Sequence, residues 1–255
     1  MADPDPRWPV YVINMADNTT RMAKAAAALN AQGIAFERFD AVVGATVSAA
    51  ELARVYDPAA NKTRFRYPLL PGEIGCYLSH LALWEKIANG PGAGAIILED
   101  DFAAEPGLAR VLAALDPASQ GWDLLKLFTR RPGKKMLDTG PLCDGFDLAR
   151  PYQVPNTTLG YALTKASAGH LCRVSVPFAR PIDEDHKRFW EHGLRIKLVC
   201  PSPLRLGEEA TVGSTIAASR KTARNPGRLG QGFKNISYRL AYLSRLHFYR
   251  ATGRQ

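Results

Sequence analysis

The stretch Ala95-Ile96-Ile97-Leu98-Glu99-Asp100-Asp101-Phe102 constrains this chain more than any other. Four apolar residues, two of them β-branched, run straight into three consecutive carboxylates. A run that short and apolar, entered from Gly90-Pro91-Gly92-Ala93-Gly94, predicts a strand buried on both faces. Parallel strands of α/β proteins have this character, and ligands of such sheets bind beyond the carboxyl ends of the strands. The acids stand at that end. Three adjacent carboxylates repel one another, and hard oxygen ligands there suit Mg²⁺ or Mn²⁺, ions that keep several waters and share their site with substrate phosphates. The expectation is a divalent-metal site that holds a phosphorylated substrate. A solvated acidic turn after a core strand is the other reading of the same residues.

The rest of the chain supplies partners for that strand. Val10-Tyr11-Val12-Ile13 is a first strand ending at Asn14. The Ala-rich stretch from Arg21 to Ala31 is a strong helix former that Gly33 stops. With Ile34 to Phe39 as a second strand, this begins a βαβ unit that puts Asn14, Asn18 and Arg21 near the end of the first strand, where Arg21 could reach a phosphate. No GxGxxG is present, so a dinucleotide fold is not indicated. Ser48 caps a short helix, and residues 57–70 read as irregular and basic. Pro71 to Ile87 is a helix apolar around most of its circumference and therefore buried, with Ser79 and His80 as polar intrusions. A buried histidine is as readily a satisfied core residue as a ligand.

Further on, Gly121 to Phe128 reads as a buried strand, and 129–156 as a loop or small subdomain. Thr157 to Thr164 is a strand that enters a helix at Lys165–Val174. A second acidic cluster, Asp183-Glu184-Asp185, opens a helix. The helix dipole favours carboxylates there, and a general base facing the metal site is the functional reading. Ile196 to Val199 is a last strand.

The net charge of +9 is unevenly placed. Residues 220–255 carry nine Lys or Arg and no acid, so residues 1–219 are formally neutral and nucleic acid is not an expected partner. In that tail Phe233, Ile236, Leu240, Leu243 and Leu246 fall on helical spacing among basic residues. That pattern suits either an anionic membrane surface or a docked terminal helix. The proline-rich start lacks the basic and apolar regions of a signal peptide, which points to the cytoplasm. The four cysteines are far apart and form no CxxC, as expected of reduced thiols.

Several pieces together resemble glycosyltransferase family 25, the lipooligosaccharide-type galactosyl- and glucosyltransferases. They are Val12-Ile13-Asn14 with Arg21, Phe39-Asp40-Ala41-Val42-Val43-Gly44, the run from Gly72-Glu73-Ile74-Gly75-Cys76 to Ser79-His80, and Leu98-Glu99-Asp100-Asp101, with weaker matches at Gly160-Tyr161 and Pro181-Ile182-Asp183. The resemblance implies an α/β, GT-A-like fold with a mostly parallel central sheet flanked by helices, followed by a basic helical tail. With the tail set apart by its charge, the expected division is a catalytic domain at 8–219 and a basic tail at 220–255. It also implies metal-dependent, inverting transfer of a hexose, galactose or glucose, from a UDP-sugar to a hydroxyl of a lipopolysaccharide-type acceptor. Glu99-Asp100-Asp101 would play the part of the family's DxD motif, though Glu stands first here. Asp101, with Glu99, would then hold Mn²⁺ or Mg²⁺. Asn14, Arg21, Ser79, His80, Glu99 and Asp100 would form the donor pocket. Asp183, Glu184 and Asp185 are all candidates for the base, and Asp183 is chosen because it follows Pro181-Ile182 at a loop-to-helix junction. A peripheral position on the inner face of the cytoplasmic membrane fits the tail. A catalytically silent sugar- or nucleotide-binding scaffold is the alternative. The acidic strand end alone does not separate sugar transfer from phosphoryl or nucleotidyl transfer.

Overall fold

The computed structural model describes residues 8–207 and 229–253. Its centre is an eight-stranded sheet in the order β2-β1-β3-β8-β5-β9-β7-β6. Here β1 is Val10–Asn14, β2 Glu37–Asp40, β3 Gly94–Glu99, β5 Leu124–Lys126, β6 Met136–Cys143, β7 Phe146–Pro151, β8 Gly160–Thr164 and β9 Ile196–Cys200. Six of the eight run in one direction; β8 and β7 are reversed. Two short strands, β4 (Phe102–Ala104) and β10 (Leu204–Leu206), pair separately beside the end of β3. This α/β architecture agrees with the GT-A-like fold that the resemblance implies.

The side-chain period of two sorts the sheet's residues onto two faces. Tyr11, Ile13, Ala95, Ile97, Leu124 and Tyr161 pack beneath helices α4 (Pro71–Asn89) and α7 (Lys165–Val174). Val10, Val12, Ile96, Leu98 and Leu125 pack on the opposite face with α1 (Thr19–Asn30) and α5 (Leu108–Ala113). The strand before the acids is therefore buried on both sides, as its composition predicts. The same parity gives Glu99 the face of Ala95 and Ile97, and Lys126 the face of Leu124.

Residues 57–70 include a helix, α3 (Pro58–Arg64), where the sequence suggested irregular chain. Asp57 starts it by accepting from the backbone amides of Ala59 and Ala60, and Pro58 stands in its first turn. Residues 129–156 hold the hairpin β6–β7, which joins the main sheet through β9. Gly and Pro content obscured these strands, because an edge hairpin needs apolar residues only on its covered side.

Two glycines explain why the 39–44 and 72–80 motifs occur together. A Cβ on Gly44 would lie 1.8 Å from the Pro71 carbonyl oxygen, and one on Gly75 would lie 2.5 Å from that of Val42. The first turn of α4 thus packs backbone to backbone on the loop after β2, an approach only glycine permits.

The last helix, α10 (Leu229–Ala251), follows short helices α2 (Ala49–Val55), α6 (Pro117–Gln120), α8 (Ile182–His186) and α9 (Phe189–His192). It docks on the body through a different face from the one its aliphatic spacing suggested. Tyr238, Tyr242, Leu243, Leu246 and Tyr249 pack on the core, whereas Ile236 and Leu240 are exposed. Phe233 and residues 220–228 lie outside the side chains the structure describes. Among the described residues no helix is long and apolar enough to cross a membrane.

Candidate active site

At the carboxyl ends of β1, β2 and β3 the side chains of four segments interlock. Asn14 Nδ2 donates to Asp100 Oδ2 at 2.7 Å, and Arg38 Nε donates to Asn14 Oδ1 at 2.9 Å. Arg21 completes the group at 3.5 Å from Asp100 Oδ1. Burial pushes the Asp100 carboxyl above its ordinary pKa, against the pull of Asn14 and Arg21. Arg38, in this cluster, was not singled out from the sequence. Its alternation in β2 gave only a strand, although an arginine next to the strand-end Asp40 was a legible sign.

Glu99 is held from behind. Its Oε1 accepts from the Thr158 hydroxyl and faces His80 Nε2 at 3.4 Å. His80 is wholly buried, and its Nδ1 meets the Tyr161 hydroxyl at 2.9 Å, which also accepts from the Trp84 indole at 2.8 Å. A consistent reading of this chain has Tyr161 donating to Nδ1 and the Nε2 proton pointing at Glu99. Burial raises the Glu99 pKa, but His80, Thr158 and Lys126 outweigh it and leave the carboxyl below its ordinary value. Ser79 is also buried. It accepts from the Val42 amide at 2.8 Å and donates to the Gly75 carbonyl at 2.7 Å, fastening the glycine contact described above. Ser79 and His80 thus reach the site through Val42 and Glu99.

Asp101 differs from its neighbours. Its Oδ1 is buried and has no hydrogen-bond partner among the described residues. Burial, followed by the charge of Glu99, drives its pKa up to about 7. A buried carboxylate oxygen without a donor is costly, and a hard cation is the partner that would relieve it. The residues present therefore fit a divalent ion, with the Asp101 carboxylate as a ligand and Glu99, whose charge acts on it, as its neighbour.

The second acidic cluster sits on α8, and its three acids part ways. Glu184 is paired with Lys187 at 2.7 Å and Arg188 at 3.0 Å, and accepts from the Tyr238 hydroxyl. Burial is overcome by these cations, and its pKa falls to about 2. Asp185 binds Arg180 at 2.6 Å and the Tyr77 hydroxyl at 2.9 Å. Asp183 is the acid of the three whose charge bears on Lys126 and on Cys76. The same Cys76 thiol, raised by burial, also feels Glu99 and Asp101. The strand-end acids and the helix-start acid, far apart in sequence, thus converge.

Thr158, Tyr161, Lys126 and His186 also belong to this region and were missed as site residues. The signal for Lys126 was present: a charged residue inside the apolar run Leu124-Leu125-Lys126-Leu127.

Comparison with known proteins bears on the family to which the chain belongs. A family model described as "Glycosyltransferase family 25 (LPS biosynthesis protein)" matches residues 8–137. A "Glycosyltransferase 25 family member" of Anopheles gambiae is 31% identical over 188 residues, covering 69% of this chain and 30% of that protein. The human "Inactive glycosyltransferase 25 family member 3" is 29% identical over 191 residues, covering 69% and 30%. Human "Procollagen galactosyltransferase 2" is 25% identical over 189 residues, covering 69% and 29%. The matched part is less than a third of the length of each of these relatives.

Proposed function

Since this chain belongs to glycosyltransferase family 25, we propose that it is a metal-dependent inverting hexosyltransferase acting from a UDP-sugar on a hydroxyl of a glycan or glycolipid acceptor of the lipopolysaccharide type. One observation supports the reading: the charges of Glu99, Asp101 and Asp183 all bear on the Cys76 thiol, so the strand-end acids and the helix-start acid flank the same residue of α4. Inversion requires one base on the face opposite the leaving group, and Asp183, whose charge bears on Lys126 and Cys76, is the acid we assign to it.

Asp101 and Glu99 would hold Mn²⁺ or Mg²⁺, which when bound offsets the charge that grows on the departing diphosphate. Asn14, Arg21, Arg38 and Asp100 shape the nucleotide end of the pocket. His80 orients Glu99 by a hydrogen bond, and Ser79 fixes the Val42–Gly44 loop against α4. Asp183 takes the acceptor hydroxyl's proton as the new glycosidic bond forms. The exposed Ile236, Leu240 and Phe248 of α10, with Arg239 and Arg245 on the same helix, support contact with an anionic membrane surface, on the cytoplasmic face.

A catalytically silent binding scaffold is the second reading. It is favoured by a relative named inactive at 29% identity and by Glu in the first acidic position. Hydrolysis of a panel of UDP-sugars with and without Mn²⁺ separates the two. Metal-dependent release of UDP from one donor supports the enzyme. Donor binding by calorimetry with no hydrolysis or transfer supports the scaffold.

A further inference from the structure

Lys126 is the least expected side chain in the core. It lies on the central strand β5 with no exposure to solvent, under α4 and α8. Its Nζ donates to the Thr157 carbonyl at 2.8 Å and lies 2.8 Å from His186 Nδ1. Its third neighbour is the Tyr161 ring, 5.3 Å from Nζ to the centroid. Burial of an ammonium is costly unless several groups compensate it, so a chain that keeps one there is using all of its contacts.

Those contacts lead to opposite sides of the pocket. Thr157 precedes Thr158, the residue that donates to Glu99, and Leu159 next to it accepts from the Glu99 amide at 3.0 Å. His186 ends α8, the helix that carries Asp183. The His186 ring stacks on Trp84, and its Nε2 has no hydrogen-bond partner among the described residues. All its polar anchorage therefore passes through Nδ1 to Lys126. Burial, followed by the Lys126 charge, depresses the His186 pKa well below its ordinary value and keeps the ring neutral, and donation from Lys126 Nζ makes Nδ1 the accepting nitrogen.

We propose that Lys126 is a positioning residue that fixes the spacing between the Glu99 side of the pocket, through Thr157 and Thr158, and the Asp183 side, through His186. The proposal rests on the assignment of Glu99 and Asp183 made above. Transfer demands that donor and base be held in one geometry, and a displacement of about 1 Å costs about 100-fold in rate.

The test uses the full chain. Lys126→Met removes both hydrogen bonds at nearly constant volume. It should lower kcat about 100-fold and raise the donor KM about tenfold. His186→Leu should lower kcat to a similar degree with donor KM nearly unchanged. His186→Asn, whose amide oxygen stands close to the place of Nδ1, should recover most of the rate. Hydrogen exchange should quicken at residues 157–159 and 182–186 in Lys126→Met, while β1 keeps its protection. A folded Lys126→Met whose only change is a lower melting temperature overturns the proposal. Should that variant not fold, equal kcat in His186→Leu and His186→Asn overturns it. Loss of activity in Asp101→Ala and Asp183→Asn beside an unaffected Lys126→Met removes the positioning role alone. Full activity in both aspartate variants removes the underlying assignment, and the proposal with it.

Discussion

Asn14 and Asp100 join the ends of two neighbouring parallel strands: Asn14 Nδ2 donates to Asp100 Oδ2 at 2.7 Å while its Oδ1 accepts from Arg38. The amide is the right group because it offers a donor to one side and an acceptor to the other. Asn14→Asp keeps the acceptor and replaces the donor with a second carboxylate facing Asp100. A hydrogen bond to a charged group is worth about 1.5–3 kcal/mol, so the donor KM should rise about 10- to 100-fold. Steady-state kinetics with varied UDP-sugar measures it. An unchanged KM would separate this pair from the nucleotide pocket.

Among the described residues no donor satisfies the buried Asp101 Oδ1. In a thermal-melt series, Mn²⁺ should raise the melting temperature of the wild-type chain, through binding to the folded state alone. Asp101→Asn should fold and show little or no such shift. A full Mn²⁺ shift in the variant would place the ion elsewhere.

Asp183→Asn should lower kcat by about 100- to 10,000-fold, the range typical of a lost general base, with donor affinity within about twofold of wild type. Equal losses in kcat and in donor binding would instead assign Asp183 to the donor pocket.

Glu184 provides the pH test. Its folded pKa is held down at about 2 because burial is outweighed by Lys187 and Arg188. A depressed carboxylate contributes stability that is present above its unfolded pKa and lost as the pH falls through the folded one. The loss should therefore run from about pH 4.5 down to about pH 2 and reach at most about 3 kcal/mol. Glu184→Gln should flatten that limb in urea melts across the same window. Because Tyr238 of α10 donates to Glu184, the fluorescence of Trp190, which stacks on Tyr249, should report release of α10 there.

Membrane contact is best tested without truncation, because α10 is fastened to α8 and α9 by Tyr238–Glu184, Trp190–Tyr249 and Arg250–Phe189 contacts. Removing it would disturb the Asp183 segment as well. Replacing the exposed Ile236, Leu240 and Phe248 by serine should weaken sedimentation with anionic vesicles while leaving transfer to a soluble acceptor intact. Identical sedimentation would end the membrane reading.

Local runs of residues were enough to specify the strand before the acids, the capping of α2 by Ser48, the buried helix from Pro71, and the family motifs at Asn14, Gly72–His80 and Glu99–Asp101. Each of these is a local property: apolar period, cap chemistry or a contiguous run. What the tertiary structure decided was which charged groups face one another. Glu99 meets His80 because strand parity turns it toward α4. Glu184 and Asp185 are held by Arg180, Lys187, Arg188 and Tyr77, whereas the Asp183 charge reaches Lys126 and Cys76. The edge strands β6 and β7, the aromatic docking face of α10 and the Lys126–His186 contact were hidden for the same reason. A side chain's hydrogen-bond partner is set by long-range packing, and neither composition nor spacing along the chain encodes it.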